Sequence, residues 1–212
     1  MDYFPVFLRL EGRSCVVVGG GEVGARKAAS LLDARASVHV VAPDACTELV
    51  AMADAGKLAW HRRGYQASDL QGAAVVIAAT DDRAVNAQVS RDAQAVGLPV
   101  NVVDDPELCS FIVPAVVDRQ PVLVAISTGG ASPALARHLR ARVAAAVPEG
   151  AGPLAALLAR ARGSVRDLVP ATAARAAFWE RVVGGEVGAL GLAGRIEEAG
   201  RALDRLIADL RR

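Results

Sequence analysis

Between residues 13 and 113, short apolar runs alternate with longer stretches whose apolar positions recur at helical spacing. Ser14–Val18 is β-rich and ends in glycines, which predicts a first strand. Residues 22–34 predict a helix with Ala25, Ala28, Ala29 and Leu32 on one stripe. Ser37–Val41 predicts a second strand. Asp44 is expected to cap a helix running to about Ala55, because its carboxylate can accept from free backbone N–H groups. Residues 58–61 predict a short third strand. Residues 73–79 are almost continuously apolar, as in a strand buried on both faces. Residues 82–96 predict a helix stopped by Gly97, and residues 99–103 a further strand. Alternation of this kind predicts an α/β fold with a Rossmann-type parallel sheet and right-handed crossovers.

The pattern changes after residue 110. Residues 111–117 and Val122–Ile126 are two apolar β runs separated by Asp118-Arg119-Gln120 and Pro121, which predicts a hairpin. Two apolar strands need a cover, and a second copy of the chain is the expected one. Ser132-Pro133 predicts a helix start, with serine as the cap and proline in the first turn. Leu135, Leu139 and Val143 line one face of that helix. Residues 148–153 read as a breaker-rich linker. Residues 154–212 read as all-helical, closing on an amphipathic tail at Ile196, Leu203, Leu206, Ile207 and Leu210. The expected organisation is therefore a Rossmann domain over 1–113, a dimerisation hairpin and helix over 114–147, and a C-terminal helical domain over 148–212.

Composition narrows the function classes. The chain has 212 residues, 53% of them hydrophobic, enough for one sizeable core and a smaller second unit. A net charge of +1 gives no electrostatic reason to expect nucleic acid. Lysine occurs only at Lys27 and Lys57, so nearly all positive charge is arginine, suited to fixed bidentate contacts with carboxylates or phosphates. The three cysteines, Cys15, Cys46 and Cys109, are odd in number and lack C-x-x-C spacing, which argues against a disulfide framework or a structural zinc site. No signal-like N-terminal segment is present and no apolar stretch approaches the roughly 20 residues that span a bilayer. The expected setting is the cytoplasm, without a membrane partner.

Gly19-x-Gly21-x-x-Gly24 follows a predicted strand and opens a predicted helix, the context a dinucleotide fingerprint requires. Gly19 allows the tight turn, Gly21 lets the backbone approach a diphosphate, and Gly24 permits close helix–strand packing. Glu22 and Val23 begin the helix whose free N–H groups and positive dipole end would face that diphosphate. An acidic residue commonly ends the second strand and binds ribose hydroxyls. Here the first acid is Asp44, after Pro43, and it either serves the ribose or only caps the next helix. No arginine sits at that strand tip to receive a 2′-phosphate, although Arg62 and Arg63 follow the third strand, so NAD is favoured over NADP. Thr80, at the end of the fourth strand, either lies against the nicotinamide half or serves a turn.

Several segments together carry a resemblance. Tyr3-Phe4-Pro5-Val6-Phe7, residues 16–27, Ala78-Ala79-Thr80-Asp81-Asp82, Asn101-Val102-Val103-Asp104, Ser110-Phe111-Ile112-Val113-Pro114, residues 127–133 and Phe178-Trp179-Glu180 resemble siroheme synthase N-terminal modules. These form the precorrin-2 dehydrogenase / sirohydrochlorin ferrochelatase family, and the likeness covers about residues 1–182. The resemblance implies a homodimer that binds NAD, oxidises precorrin-2 to sirohydrochlorin and in many members then inserts Fe2+ to give siroheme. It implies that Asp104 is the catalytic aspartate of both reactions, and it places Asn101 with the cofactor. Thr128 falls where some members carry a phosphorylated serine; a threonine beside Ser127 puts that regulation in doubt. The chain stops at Arg212, so a separate uroporphyrinogen methyltransferase is expected to supply precorrin-2. Some family members are dehydrogenases only.

The residue chemistry is compatible with that reading. A carboxylate at a strand tip can take the proton released when a hydride leaves, and Asp104 is the candidate, with Asp105 as a second charge. The same carboxylate can ligate an arriving metal transiently; no permanent metal is expected, since His39, His61 and His138 form no ligand-spaced cluster. For a polycarboxylate substrate, Ser127, Thr128 and Gly129 before a capped helix form a candidate anion nest. Arg119 and Arg137, with Arg140 one turn on, are candidate clamps; a solvated helix face or intersubunit salt bridges explain them equally well. Competing functions are a non-enzymatic NAD-sensing regulatory domain, a dehydrogenase for another small substrate, and a chelatase with a vestigial cofactor site.

Overall fold

The computed structural model describes residues 3–211, which divide into two compact units between Val113 and Pro114. The first unit is a five-stranded parallel sheet in the order β3-β2-β1-β4-β5, made of β1 (Ser14–Val18), β2 (Ser37–Val41), β3 (Ala59–His61), β4 (Val75–Ala78) and β5 (Val100–Val102). Helices α1 (Glu22–Asp33), α2 (Thr47–Asp54) and α3 (Arg83–Ala95) make the crossovers. Both faces of the sheet are covered. Cys15, Val17, Val38, Val40, Val75 and Ile77 pack with Ala25, Ala28 and Leu31 of α1 and Leu49 of α2. Val16, Val18, Val41, Val76, Ala78 and Val100 pack with Leu70 and with Val89 and Ala93 of α3. Burial on both faces is why these strands lack polar alternation.

Two expectations change here. Asp44 does not cap α2: the helix starts at Thr47, its cap position is Cys46, and no side chain bonds there. The reason is tertiary. Cys46 N donates to Gly20 O at 2.8 Å, and this ties the start of α2 to the glycine turn. On α1 the buried stripe is Gly24, Ala25, Ala28 and Leu31, one position away from the expected Leu32. A 3-10 turn at Ala67–Leu70, with the Gln66 and Asp69 side chains closing a capping box, was not anticipated.

In the second unit β6 (Ala115–Arg119) and β7 (Val122–Ile126) form an antiparallel pair in which Arg119 faces Val122. The connection is thus Gln120-Pro121, joined by a cis peptide bond, and Asp118 and Arg119 belong to the strand. The first strand begins at Ala115 and not at 111. Ser110 N and Phe111 N instead both donate to Val100 O at 2.8 and 3.3 Å, which keeps residues 110–111 on β5. Ser132 caps α4 (Pro133–Ala146) as expected, its Oγ accepting from Leu135 N. The second half of the expected linker at 148–153 is the start of α5 (Ala151–Leu168), with Pro153 in the first turn, where its missing N–H has no intrahelical partner anyway. Glycines bring this start close to neighbouring backbone. A Cβ on Gly152 would lie 2.2 Å from Arg119 O, and one on Gly150 2.2 Å from Gly191 O. Helices α6 (Thr172–Gly184), α7 (Glu186–Leu192) and α8 (Ile196–Asp209) complete a bundle around Leu154, Val165, Phe178, Val182, Val187 and Leu203. Val117 is buried on one face of the hairpin, while Val116 and Leu123 on the other stay exposed. Among the described residues no helix is long and apolar enough to cross a membrane.

Candidate active site

Strand order reverses at β1, which has β2 on one side and β4 on the other. In an open parallel sheet, ligands bind at the carboxyl ends of the strands beside such a switch point. The glycine turn lies there. Gly19 has φ +126°, and a Cβ on it would sit 2.3 Å from Ala79 O. A Cβ on Gly24 would sit 2.4 Å from Gly19 O. Gly20 is equally confined, by the carbonyl of Asp44. Gly21 differs: nothing lies within 4 Å of its would-be Cβ. Packing therefore explains Gly19, Gly20 and Gly24 but not Gly21. Open space at the N-cap of α1, before free N–H groups, fits a bound diphosphate. Glu22 is exposed in the first helical turn, and Pro43 and Asp44 are exposed just past the tip of β2.

Beside this turn a cleft of about 210 Å³ is lined by Val23, Thr80, Asp81, Asn86, Asp104 and Asp105, among others. Asp104 is exposed and has φ +59°, a left-handed conformation uncommon for a residue with a side chain. The turn after β5 thus presents the carboxylate directly at the cleft. A larger hollow of about 800 Å³, lined by Arg13, Ala74, Leu98 and Pro99 among others, lies at the opposite, amino ends of the strands. Ligand sites of this fold are not built at that end.

One residue of the cleft, Asn86, and one near its Asp104, Lys27, were not singled out from the sequence. Asn86, on α3, is only 7% exposed and binds Thr80 through both ends of its carboxamide. The Thr80 hydroxyl also donates to Asp82 O at 3.0 Å. Lys27 sits one helical turn after Val23 and is half-buried. Burial pushes its ammonium below the ordinary lysine value and Arg26 acts in the same sense, while the Asp104 carboxylate opposes them. Its proximity to Asp104 was not visible because 77 residues separate them in the chain.

Asn101 is buried in β5 and does not line the cleft. Its amide donates to Phe111 O at 3.1 Å and to Cys109 Sγ at 3.5 Å. In the second unit, the Ser127 hydroxyl accepts from Gly129 N at 3.0 Å, and Thr128 Oγ1 exchanges bonds with Ser132 N and O. The hydroxyls of the expected nest therefore fix their own loop, in which Gly129 and Gly130 have positive φ. Arg119 is engaged as well, with a salt bridge to Glu149 at 2.9 Å and a bond to Ala144 O at 3.4 Å. Arg137, His138 and Arg140 are exposed on α4. His39 and His61 lie 3.4 Å apart on neighbouring strands, and among the described residues no group of three His, Cys, Asp or Glu side chains is arranged to hold a metal ion.

The fold and cleft define a dinucleotide-binding protein of the Rossmann type. Residues 6–115 match a family model described as putative NAD(P)-binding, residues 119–146 one described as sirohaem biosynthesis protein central, and residues 150–207 one described as sirohaem synthase dimerisation region. The chain belongs to this family of siroheme synthase N-terminal modules. The dimerisation model falls on α5 to α8, whereas the sequence pattern had attached dimerisation to 114–147. A siroheme synthase of Methylococcus capsulatus is 51% identical over 203 residues, covering 96% of this chain and 43% of the relative. One of Pseudomonas putida is 50% identical over 207 residues, covering 98% and 45%. The chain spans less than half the length of these relatives. A solved structure of SirC, precorrin-2 dehydrogenase, superposes with a TM-score of 0.69 at 25% identity, covering 92% of this chain and all of the other.

Proposed function

We propose that this chain oxidises precorrin-2 to sirohydrochlorin, with NAD as hydride acceptor. The observation that carries the reading is Asp104, held left-handed at the tip of β5 in the cleft beside the open Gly21 turn. The Gly19–Gly24 backbone and the α1 N-terminus are the groups that would hold NAD, with Pro43 and Asp44 on the adenosine side and Thr80 and Val23 toward the nicotinamide. NAD supplies the hydride acceptor when bound. A hydride leaving the tetrapyrrole ring leaves a proton to be taken, and Asp104 is the carboxylate positioned to take it. Asn101, one layer behind, supports the turn. Arg137, Arg140 and the Ser127–Gly129 loop supply positive charge and N–H donors suited to the acidic periphery of the substrate.

Ferrous iron insertion into sirohydrochlorin is the second step of the proposal. Asp81, Asp104 and Asp105 give the cleft the oxygen donors and proton acceptors that metal insertion into a pyrrole macrocycle uses. Precorrin-2 would come from a uroporphyrinogen methyltransferase. The exposed Val116 and Leu123 and the match to a dimerisation region support a homodimer.

The test is anaerobic incubation with enzymatically generated precorrin-2, followed by absorbance with and without NAD and then with Fe2+ or Co2+. NAD-dependent sirohydrochlorin formation that is lost in Asp104→Ala is the expected result. Metal insertion above the protein-free rate supports the second step, and its absence reduces the protein to a dehydrogenase. NAD binding without turnover overturns the enzyme reading in favour of an NAD-sensing domain.

A further inference from the structure

β5 is the edge of the parallel sheet, with β4 on one side only. The outward backbone groups of an edge strand need other partners, and residues 109–111 provide them. Val100 is satisfied by Ser110, whose N–H donates to Val100 O at 2.8 Å and whose Oγ accepts from Val100 N at 2.8 Å. One pleat further on, Val102 O accepts from Asp105 N at 3.4 Å, but no backbone acceptor reaches the Val102 N–H. That N–H donates instead to Cys109 Sγ at 3.1 Å. The same sulfur stands 3.2 Å from Val102 O and 3.3 Å from Asp105 O. The thiol has one proton, so it donates to one of these carbonyls while accepting from Val102 N. Those contacts bracket Asp104 on both sides, and Asp104 is the residue forced to φ +59°. Asn101 holds the sulfur from behind through its Nδ2 at 3.5 Å.

We propose that Cys109 is a positioning residue, whose thiol locks the Val102–Asp105 turn and so aims the Asp104 carboxylate into the cleft. This rests on the reading of Asp104 given above. Burial pushes the Cys109 thiol above its ordinary value, which keeps it an S–H donor and not a thiolate nucleophile. The long contacts suit sulfur. A serine Oγ keeps the donor and acceptor but sits closer to its own Cβ, so it spans the same gaps less well. An alanine leaves the Val102 N–H unpaired and frees the turn to leave its strained conformation.

The experiment measures kcat, KM for precorrin-2 and the NAD dissociation constant in Cys109→Ala, Cys109→Ser and Asp104→Asn, singly and combined. Misplacement of a catalytic group by about 1 Å costs roughly 100-fold. Cys109→Ala is therefore expected to lower kcat roughly 10- to 100-fold with NAD affinity unchanged, Cys109→Ser to recover part of it, and Cys109→Ala to cause no further loss on the residual rate of Asp104→Asn. Wild-type kcat in a Cys109→Ala protein that binds NAD normally overturns the positioning role. So does a parallel loss of kcat and NAD affinity that serine does not rescue, since that is a merely structural effect. Full activity of Asp104→Asn overturns the reading of the carboxylate itself, which distinguishes the two failures.

Discussion

Asn86 binds Thr80 on three sides. Its Oδ1 accepts from Thr80 Oγ1 at 2.8 Å and from Thr80 N at 3.3 Å, and its Nδ2 donates to Thr80 O at 2.8 Å. The carboxamide thereby joins the first turn of α3 to the tip of β4, where the cleft is open. Removing it leaves the part-buried backbone groups of Thr80 without their side-chain partner, a cost of about 1–3 kcal/mol. Asn86→Ala should lower the denaturant midpoint accordingly and raise the Kd for NAD. A variant that matches the wild type in both measurements contradicts this account of the cleft wall.

The glycines of the fingerprint separate into two groups by the space around them. Gly24→Ala places a methyl group against the Gly19 carbonyl and should destabilise by roughly 1–3 kcal/mol. Gly21→Ala meets no atom of the protein and should fold with an unchanged melting temperature. Its methyl group would stand where the diphosphate is expected, so NAD binding should weaken about tenfold or more, the equivalent of 1.4 kcal/mol. Wild-type NAD affinity in Gly21→Ala would show that the diphosphate does not lie there.

Lys27 gives a pH dependence of definite sign. Its folded pKa lies below the ordinary 10.5, mainly because of burial. Between the folded and unfolded values the unfolded chain binds more protons, so this group makes stability rise with pH. Relative to Lys27→Met, the wild type should be less favoured at neutral pH, and the gap should close as pH approaches 10.5. Paired denaturation curves at pH 7 and pH 10 measure it; a gap that widens with pH contradicts the burial argument.

Tyr65 runs the other way. Burial, and then its bond to Asp92 at 3.0 Å, raise the phenol above its ordinary 10.0. The stabilisation is complete below pH 10 and is lost as pH rises through the raised folded value, because the unfolded tyrosine ionises first. Tyr65→Phe should cost about 1 kcal/mol at neutral pH. The difference in tyrosinate absorbance between wild type and variant should appear only well above pH 10.

The two candidate clamp arginines should part company. Arg119 is tied to Glu149 and Ala144 O, so Arg119→Ala should lower stability of the second unit. Arg137 is exposed on α4, so Arg137→Ala should leave stability unchanged and raise the substrate KM more than it lowers kcat. An unchanged KM in Arg137→Ala removes that residue from the substrate site.

Where a local signal sufficed, the sequence was legible. β1 and β2 lie on Ser14–Val18 and Ser37–Val41 as the apolar runs predicted, and Ser132 caps α4. Glycine spacing, β-branched runs and cap residues act over one or two turns of chain, so they can be read without the partner elements. Asp44 was misread because a carboxylate before a helix is locally a good cap, yet the Gly20 carbonyl draws the chain past it to Cys46. Phe111 was misread because its apolar run continues into β6, while its N–H is committed to Val100 of β5.

Chemistry divides along the same line. The sequence by itself determined the parallel sheet, the dinucleotide turn and the presence of a carboxylate at the end of β5, since each follows from the order of residues along one stretch. Only the tertiary structure decided that Asn101 supports the turn from behind, that Asn86 fixes Thr80, that Lys27 lies near Asp104, and that Cys109 completes the edge of β5. Those relationships join residues from different elements. They arise because packing brings unpaired polar groups together and leaves each to be satisfied by whichever side chain the fold delivers.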